Sequence, residues 1–263
     1  MLAAWVNLML RNRDKYKKLV QEVRATFKSA SEIRWATVKD LRYLNAVNHE
    51  VLRICAPVPT NLCRVVPPGG AVIDGYPVPG GVGLFFFPPP CPGPFSPMLS
   101  YLSSITTNMI HVIPKTTVSL SPWAATHLPL NFSRPLEFLP ERWLSYTTNS
   151  SSNVSTSTPG FNPKNDFSTD LPHASQPFSY GPRGCIGKNL TNIEQRLIMA
   201  HLVWHFDLDV PDFDEQEEED KEKIKDNEKW DPEGDMKGLK AWVVWVKPSL
   251  WVRLRVVDRG PER

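Results

Sequence analysis

The chain has 263 residues with 30 Lys+Arg against 28 Asp+Glu, and a net charge of +2 gives no electrostatic case for nucleic acid or an anionic membrane surface. A hydrophobic share of 41% is enough for a buried core, in one large domain or two of ordinary size. Four cysteines, Cys55, Cys63, Cys91 and Cys185, lack paired C-x-x-C spacing and the density of a secreted disulfide scaffold, which argues for a reducing compartment and against a zinc site. No apolar run approaches the ~18 residues needed to span a bilayer, and MLAAWVNLML lacks the cationic start of a signal peptide, so neither anchor nor export is expected.

In chain order, Leu19, Val20, Val23 and Phe27 recur at helical spacing between charged residues and predict a helix with one buried face. A second helix carries Leu41, Leu44, Val47, Val51 and Leu52 and stops before Pro57 and Pro59. Prolines number 26, none before residue 57 and twelve between Pro57 and Pro97. The stretch RVVPPGGAVIDGYPVPGG predicts short strands at Arg64–Val66 and Ala71–Ile73 with Pro-Gly turns, a small hairpin. Residues 83–116 have no period of either kind and no charge until Lys115. Residues 147–160, TTNSSSNVSTSTPG, read as a low-complexity surface loop, and their sequons at Asn149 and Asn153 are ordinary in a Ser-rich tract. Beyond Cys185, Leu190, Ile193, Leu197, His201 and Trp204 predict a further helix, and the acidic run Asp212 to Glu222 reads as a solvated loop. The end, AWVVWVKPSLWVRLRVV, predicts a β-hairpin split at Lys247-Pro248.

The chemically informative segment is Phe178-Ser-Tyr-Gly-Pro-Arg-Gly-Cys-Ile-Gly187, placed between a Pro-containing loop and a helix. The macrodipole and free N–H groups at the mouth of a helix favour a thiolate there. Glycines at 181, 184 and 187 keep the backbone slim for a flat ligand, and Arg183 offers a cation to an anionic ligand edge. A cysteine among glycines, taken alone, is either structural or a ligand. Glu50 and Arg53, three apart, share one helix face, and Arg142 in Pro140-Glu-Arg-Trp143 would complete a Glu–Arg–Arg network, which tolerates burial only if its charges satisfy one another. His201 and His205 stand four apart without an evident third ligand and read as core or surface histidines, as does His173 in a loop. Glu194 and Arg196 read as solvent-facing or as ordinary ion pairs.

These three elements, in this order, resemble the cytochrome P-450 superfamily of haem-thiolate monooxygenases. Phe178-x-x-Gly181-x-Arg183-x-Cys185-x-Gly187 matches its haem-binding signature, Glu50-x-x-Arg53 its helix motif, and Arg142 the arginine that joins them. The resemblance covers residues 1 to about 82 and 117 to 255 and looks like fungal microsomal members. It implies a mainly α fold with small β-sheets (α+β), with residues 1–263 the C-terminal haem-binding part of the domain, truncated at the N-terminus. It implies haem (iron protoporphyrin) with Cys185 as axial metal ligand, Arg183 and Arg64 at its propionates, and Phe178 and Gly187 against it. Glu50, Arg53 and Arg142 would be structural, and Val58, Pro59, Thr60, Asn61 and Leu62, with Trp242 to Trp245, would line a substrate pocket. The implied reaction inserts one atom of O2 into a hydrophobic small molecule of fungal secondary metabolism, with electrons from NADPH through the NADPH-cytochrome P-450 reductase at the cytosolic face of the endoplasmic reticulum.

The chain departs from that pattern in two places. MLAAWVNLMLRNRDKYKKLV resembles the end of the family's central helix running into the next, so the oxygen-activating acid–alcohol pair is expected to be missing and the chain by itself to be cytosolic. Residues 83–116 separate VPGG from TVSLSPWAATH, which relatives join almost directly, and read as a non-native insertion from a retained intron, with a family-specific loop as the alternative. The other functional readings are an inactive, truncated haem-binding fragment and a peroxide-dependent haem-thiolate enzyme.

Overall fold

A computed structural model describes residues 1–80, 116–148, 167–213, 217–230 and 239–259. The insertion expected over 83–116 (except for Thr116), the low-complexity stretch from residue 149 with both sequons, and residues 214–216 of the acidic run lie outside the described residues. The described fold is mainly helical with short two-stranded antiparallel sheets. It divides into a larger unit, Met1–Thr60 with Ser121–Arg263, and a smaller one, Asn61–Leu120.

In the larger unit, α1 (Leu2–Arg11) and α2 (Arg13–Thr26) meet at Asn12, followed by the short α3 (Trp35–Val38) and α4 (Arg42–Ile54). After these come α5 (Pro122–His127), α6 (Glu141–Thr148), α7 (Lys188–His205) and α8 (Glu218–Glu228). Trp5, Leu8 and Met9 of α1, Leu19 and Val23 of α2, Leu44, Val47 and Val51 of α4, and Met199 and Val203 of α7 pack into one core. Each such side chain, once fully buried, contributes roughly 1.5–3 kcal/mol of hydrophobic transfer. Polar contacts set the helix ends. Glu22 of α2 accepts the N–H groups of Tyr43 (2.7 Å) and Leu44 (2.8 Å), two donors that α4 leaves unpaired in its first turn. Burial pushes the Glu22 carboxyl up, against the lowering effect of those same bonds.

α7 is followed at once by β5 (Phe206–Asp209), which pairs with β6 (Arg253–Val256) in the register Phe206 to Val256. The expected C-terminal hairpin is therefore corrected: the strand at 253–256 finds its partner beyond α7, and Ala241 and Trp245 make only an isolated bridge. The run ahead of it is anchored elsewhere, since Trp245 is 8% exposed and its indole N–H finds a partner in Ala56 O at 2.7 Å. The acidic run is corrected as well, because its second half is helical. Lys221 reaches Glu218, Lys223 reaches Glu219 and Asp220, and Lys229 reaches Asp226, the three- and four-residue spacings that support a solvated helix. Trp230, at its end, is fully buried.

The smaller unit holds β1 (Arg64–Val65) paired with β4 (Thr117–Val118), and β2 (Ala71–Ile73) paired with β3 (Tyr76–Val78). The β2–β3 turn places Asp74 at φ 50° and Gly75 at φ 79°, the left-handed pair that a two-residue hairpin requires. The expected Arg64–Val66 strand thus belongs to a different ladder from the hairpin beside it.

Arg24 fastens α2 to the end of α7, donating to Val203 O (3.0 Å), Phe206 O (3.1 Å) and Asp207 Oδ1 (2.8 Å). Replacing it with Ala leaves those partly buried acceptors unpaired. In urea unfolding Arg24→Ala is expected to lower the midpoint by the equivalent of about 1–3 kcal/mol at unchanged m-value.

Candidate functional site

Cys185 precedes α7 by two residues and is an exposed, free cysteine. A 3-10 turn over Gly181–Arg183 leads into it, and its N–H donates to Phe178 O at 2.8 Å, closing the loop upon itself. Gly181, at φ 72°, and Ser179, at φ 60°, take the left-handed backbone that brings the chain round. A Cβ at Gly184 would stand 3.1 Å from Gly181 O, and one at Gly187 would stand 3.7 Å from Cys185 Sγ. A side chain at Gly184 would therefore press on the turn, whereas at Gly187 the first carbon would make only ordinary contact with the sulfur. Arg183 is exposed beside the cysteine, as are the apolar Tyr180, Ile186 and Leu190, and Phe178 is half-buried. The loop therefore presents a sulfur, a guanidinium and apolar surface on a slim backbone. That donor set and shape fit a haem ligated by Cys185.

A buried charge network forms a second cluster of the larger unit. Glu50 on α4 has none of its surface exposed and receives five donors: Arg53 Nε (2.9 Å) and Nη2 (2.8 Å), Arg142 Nε (3.1 Å), Trp143 Nε1 (2.8 Å) and Leu139 N (3.0 Å). Burial works to raise the Glu50 carboxyl, but the Arg53 charge and hydrogen bonds, then Arg142 and the Leu139 N–H, hold it below its ordinary value. Arg53 also donates to Thr126 O (2.8 Å), Pro135 O (2.7 Å) and Glu137 O (3.1 Å), with Phe132 beneath its guanidinium at 5.2 Å. Arg142 donates to Ser133 O (3.0 Å) and Arg134 O (3.3 Å) and pairs with Asp170.

Sequence reasoning missed Asp170, whose side chain is 4% exposed. One Glu with two Arg leaves a net +1, so a second carboxylate was implied by charge alone; nothing in the pattern around Asp170 singles it out. Sequence reasoning also misread Arg196. It is buried, donating to Asn192 O (2.8 Å) and Oδ1 (2.9 Å) and to Asn45 Oδ1 on α4. Amide oxygens rather than carboxylates are what α4 and α7 place within its reach. Glu194 is exposed.

The remaining candidates are divided between the two units. Arg64 opens β1 in the smaller unit, where it donates to Leu62 O and Cys63 O (3.3 and 3.1 Å). Val58, Pro59 and Thr60 follow α4 in the larger unit, Thr60 Oγ1 donating to Val243 O at 3.1 Å, while Asn61 and Leu62 are exposed in the smaller unit. Trp242 is exposed and Trp245 buried. His173 is exposed, and the rings of His201 and His205 stack at 5.8 Å; among the described residues no three His, Cys, Asp or Glu side chains gather as a metal site. A cleft of about 390 Å3 beside the first turns of α7 is lined by Trp35, Lys39, Asn189, Asn192, Ile193 and Arg196.

Because Glu50 is held below its ordinary value of 4.5, it stabilises the fold fully above that pH, and the contribution is lost as pH falls through the folded value. Glu50→Gln is expected to cost about 3–5 kcal/mol at neutral pH, by leaving a buried guanidinium unpaired, and to flatten the acid limb of stability followed by urea midpoints.

The Cytochrome P450 family profile matches residues 2–89 and 102–229. A cytochrome P450 monooxygenase, aba2, of Botryotinia fuckeliana is 38% identical over 98% of this chain and 38% of its own length. ABA2 of Pyricularia oryzae strain Y34, also a cytochrome P450 monooxygenase, is 36% identical over 98% of this chain and 48% of its own. An averantin hydroxylase of Dothistroma septosporum is 34% identical over 94% of this chain and 34% of its own. The chain thus spans less than half the length of these relatives. With the family profile running through Glu50, Arg53, Arg142 and Cys185 alike, the chain belongs to the cytochrome P450 family.

Proposed function

We propose that the protein to which this chain belongs is a haem-thiolate monooxygenase, with Cys185 as the residue that would supply its thiolate to the haem iron. The observation that carries the reading is the exposed Cys185, held by its N–H bond to Phe178 O at the mouth of α7. A cysteine-ligated haem, when bound, supplies the activation of O2 for insertion of one oxygen atom into a C–H or C=C bond. This chain's part is to hold and orient. Arg183, and Arg64 by resemblance, would pair with the haem propionates, Phe178 would pack against the ring beside the sulfur, and Gly187 would leave the ring room to approach. Glu50, Arg53 and Arg142 would keep the segments they bind in place without touching the ligand.

The substrate class we assign is a hydrophobic small molecule of fungal secondary metabolism, a reading supported by the averantin hydroxylase among the relatives. Val58 to Leu62 and the exposed Trp242 would face it. NADPH-derived electrons would arrive through a reductase, as in microsomal members, which work at the endoplasmic reticulum; among the described residues no helix is long and apolar enough to cross a membrane. Residues 83–116 we read as an insertion in this domain, a reading supported over 90–101, the part of it that the family match leaves out.

The test is spectroscopic. Expressed with haem supplied, reduced and exposed to CO, the chain is expected to give the red-shifted Soret band of thiolate ligation, and Cys185→Ala to abolish it. A band indifferent to Cys185, or none, would overturn the reading for this chain.

A further inference from the structure

We infer that Asp170 is a positioning residue for the Cys185 loop, clamping the segment that carries it to the buried Glu50 network; this deepens the haem-thiolate reading and rests on it. Three observations converge on Asp170. First, it makes the network neutral. Glu50 and Asp170 are two carboxylates facing the two guanidinium groups of Arg53 and Arg142, and all four side chains are at most 4% exposed. Without Asp170 a positive charge would be buried uncompensated.

Second, it is bound on both oxygens. Oδ2 pairs with Arg142 Nη1 and Oδ1 accepts the Ser133 N–H at 2.6 Å, while the neighbouring Leu171 N–H donates to Asn131 O at 2.7 Å. Phe167 adds its ring face to Arg142 at 5.0 Å. Residues 167–171 are therefore fixed to the 131–134 stretch and to α6 by charge, hydrogen bond and ring contact together.

Third, the backbone bonds beyond Leu171 are local. Ala174 N bonds Leu171 O, Ser175 N bonds Pro172 O, Ser179 N bonds Gln176 O, and Cys185 N bonds Phe178 O. Among the described residues these backbone bonds shape the loop from within, while α7 on one side and Asp170 on the other join its two ends to the rest of the larger unit.

The experiment uses the full chain and two variants. Asp170→Ala removes both contacts, and Asp170→Asn keeps an acceptor for Ser133 while losing the charge. In native-state hydrogen exchange Asp170→Ala is expected to speed the amides of Leu171 to Gly187 about tenfold or more beyond whatever change the lost charge pair brings to those of α2 and β5. Asp170→Asn should show a smaller rise confined to the same amides, and it decides the matter if the Ala variant does not fold. Loop exchange unchanged, or rising equally in α2, would overturn the clamp. With haem supplied, the thiolate-type CO band per bound haem should fall in the same order, Asp170→Ala below Asp170→Asn below the parent chain. If the parent chain shows no such band, the haem reading fails while the exchange result still upholds or overturns the clamp.

Discussion

A carboxylate shut away from water survives only where the surrounding fold delivers positive charge and donors to both of its oxygens. Glu50 imposes that demand on this molecule, and the answer comes from pieces of chain far apart in sequence: Arg53 on its own helix, Leu139, Arg142 and Trp143 at the start of α6. The two guanidinium groups it recruits have donors to spare. They go to the carbonyl of Thr126 in α5 and to those of Ser133, Arg134, Pro135 and Glu137, in a stretch between α5 and α6 with no ladder or helix of its own. Buried backbone oxygens must be paired somewhere, and here two arginines do for an irregular segment what a sheet does elsewhere.

α4 stands at the junction of two kinds of stabilisation. Leu44, Val47, Val51 and Ile54 enter the apolar core with α1, α2 and α7, while Glu50 and Arg53 face the polar network. The apolar contacts are non-directional and tolerate small shifts; the forked guanidinium bonds do not. The helix is thus held firmly by the first and registered finely by the second. α7, which packs on α4 and follows Cys185, inherits that registration through Arg196 and its bond to Asn45.

Much of this was legible in the chain itself. The helical spacing of Leu19, Val20, Val23 and Phe27, and of Leu41 through Leu52, is a local property, and so are the glycines of the Cys185 loop. What could not be read depended on partners far along the chain. Asp170 lies beyond a polar tract with no period, and only its meeting with Arg142, 28 residues away, gives it a role. Arg196 looks like any surface arginine until Asn45, 151 residues distant, is brought beside it. The strand at 253–256 closes a run with the signal of a local hairpin, but its partner at 206–209 lies on the far side of the acidic run. In the acidic run the density of carboxylates masks lysines interleaved at helical spacing.

The fastening of α7 at its far end acquires a mechanical meaning from the helix's length. Arg24 grips the carbonyls of Val203 and Phe206, and Arg259 lies 3.5 Å over the Trp204 ring and donates to the Trp204 carbonyl at 3.0 Å. With 18 residues, Lys188–His205 forms a rod roughly 27 Å long. About that pivot, a tilt of about one degree would swing the opening turn by roughly 0.5 Å, the whole tolerance of a preorganised site. The two arginines at the tail of the rod therefore govern the aim of a sulfur at its head, by leverage rather than by touch.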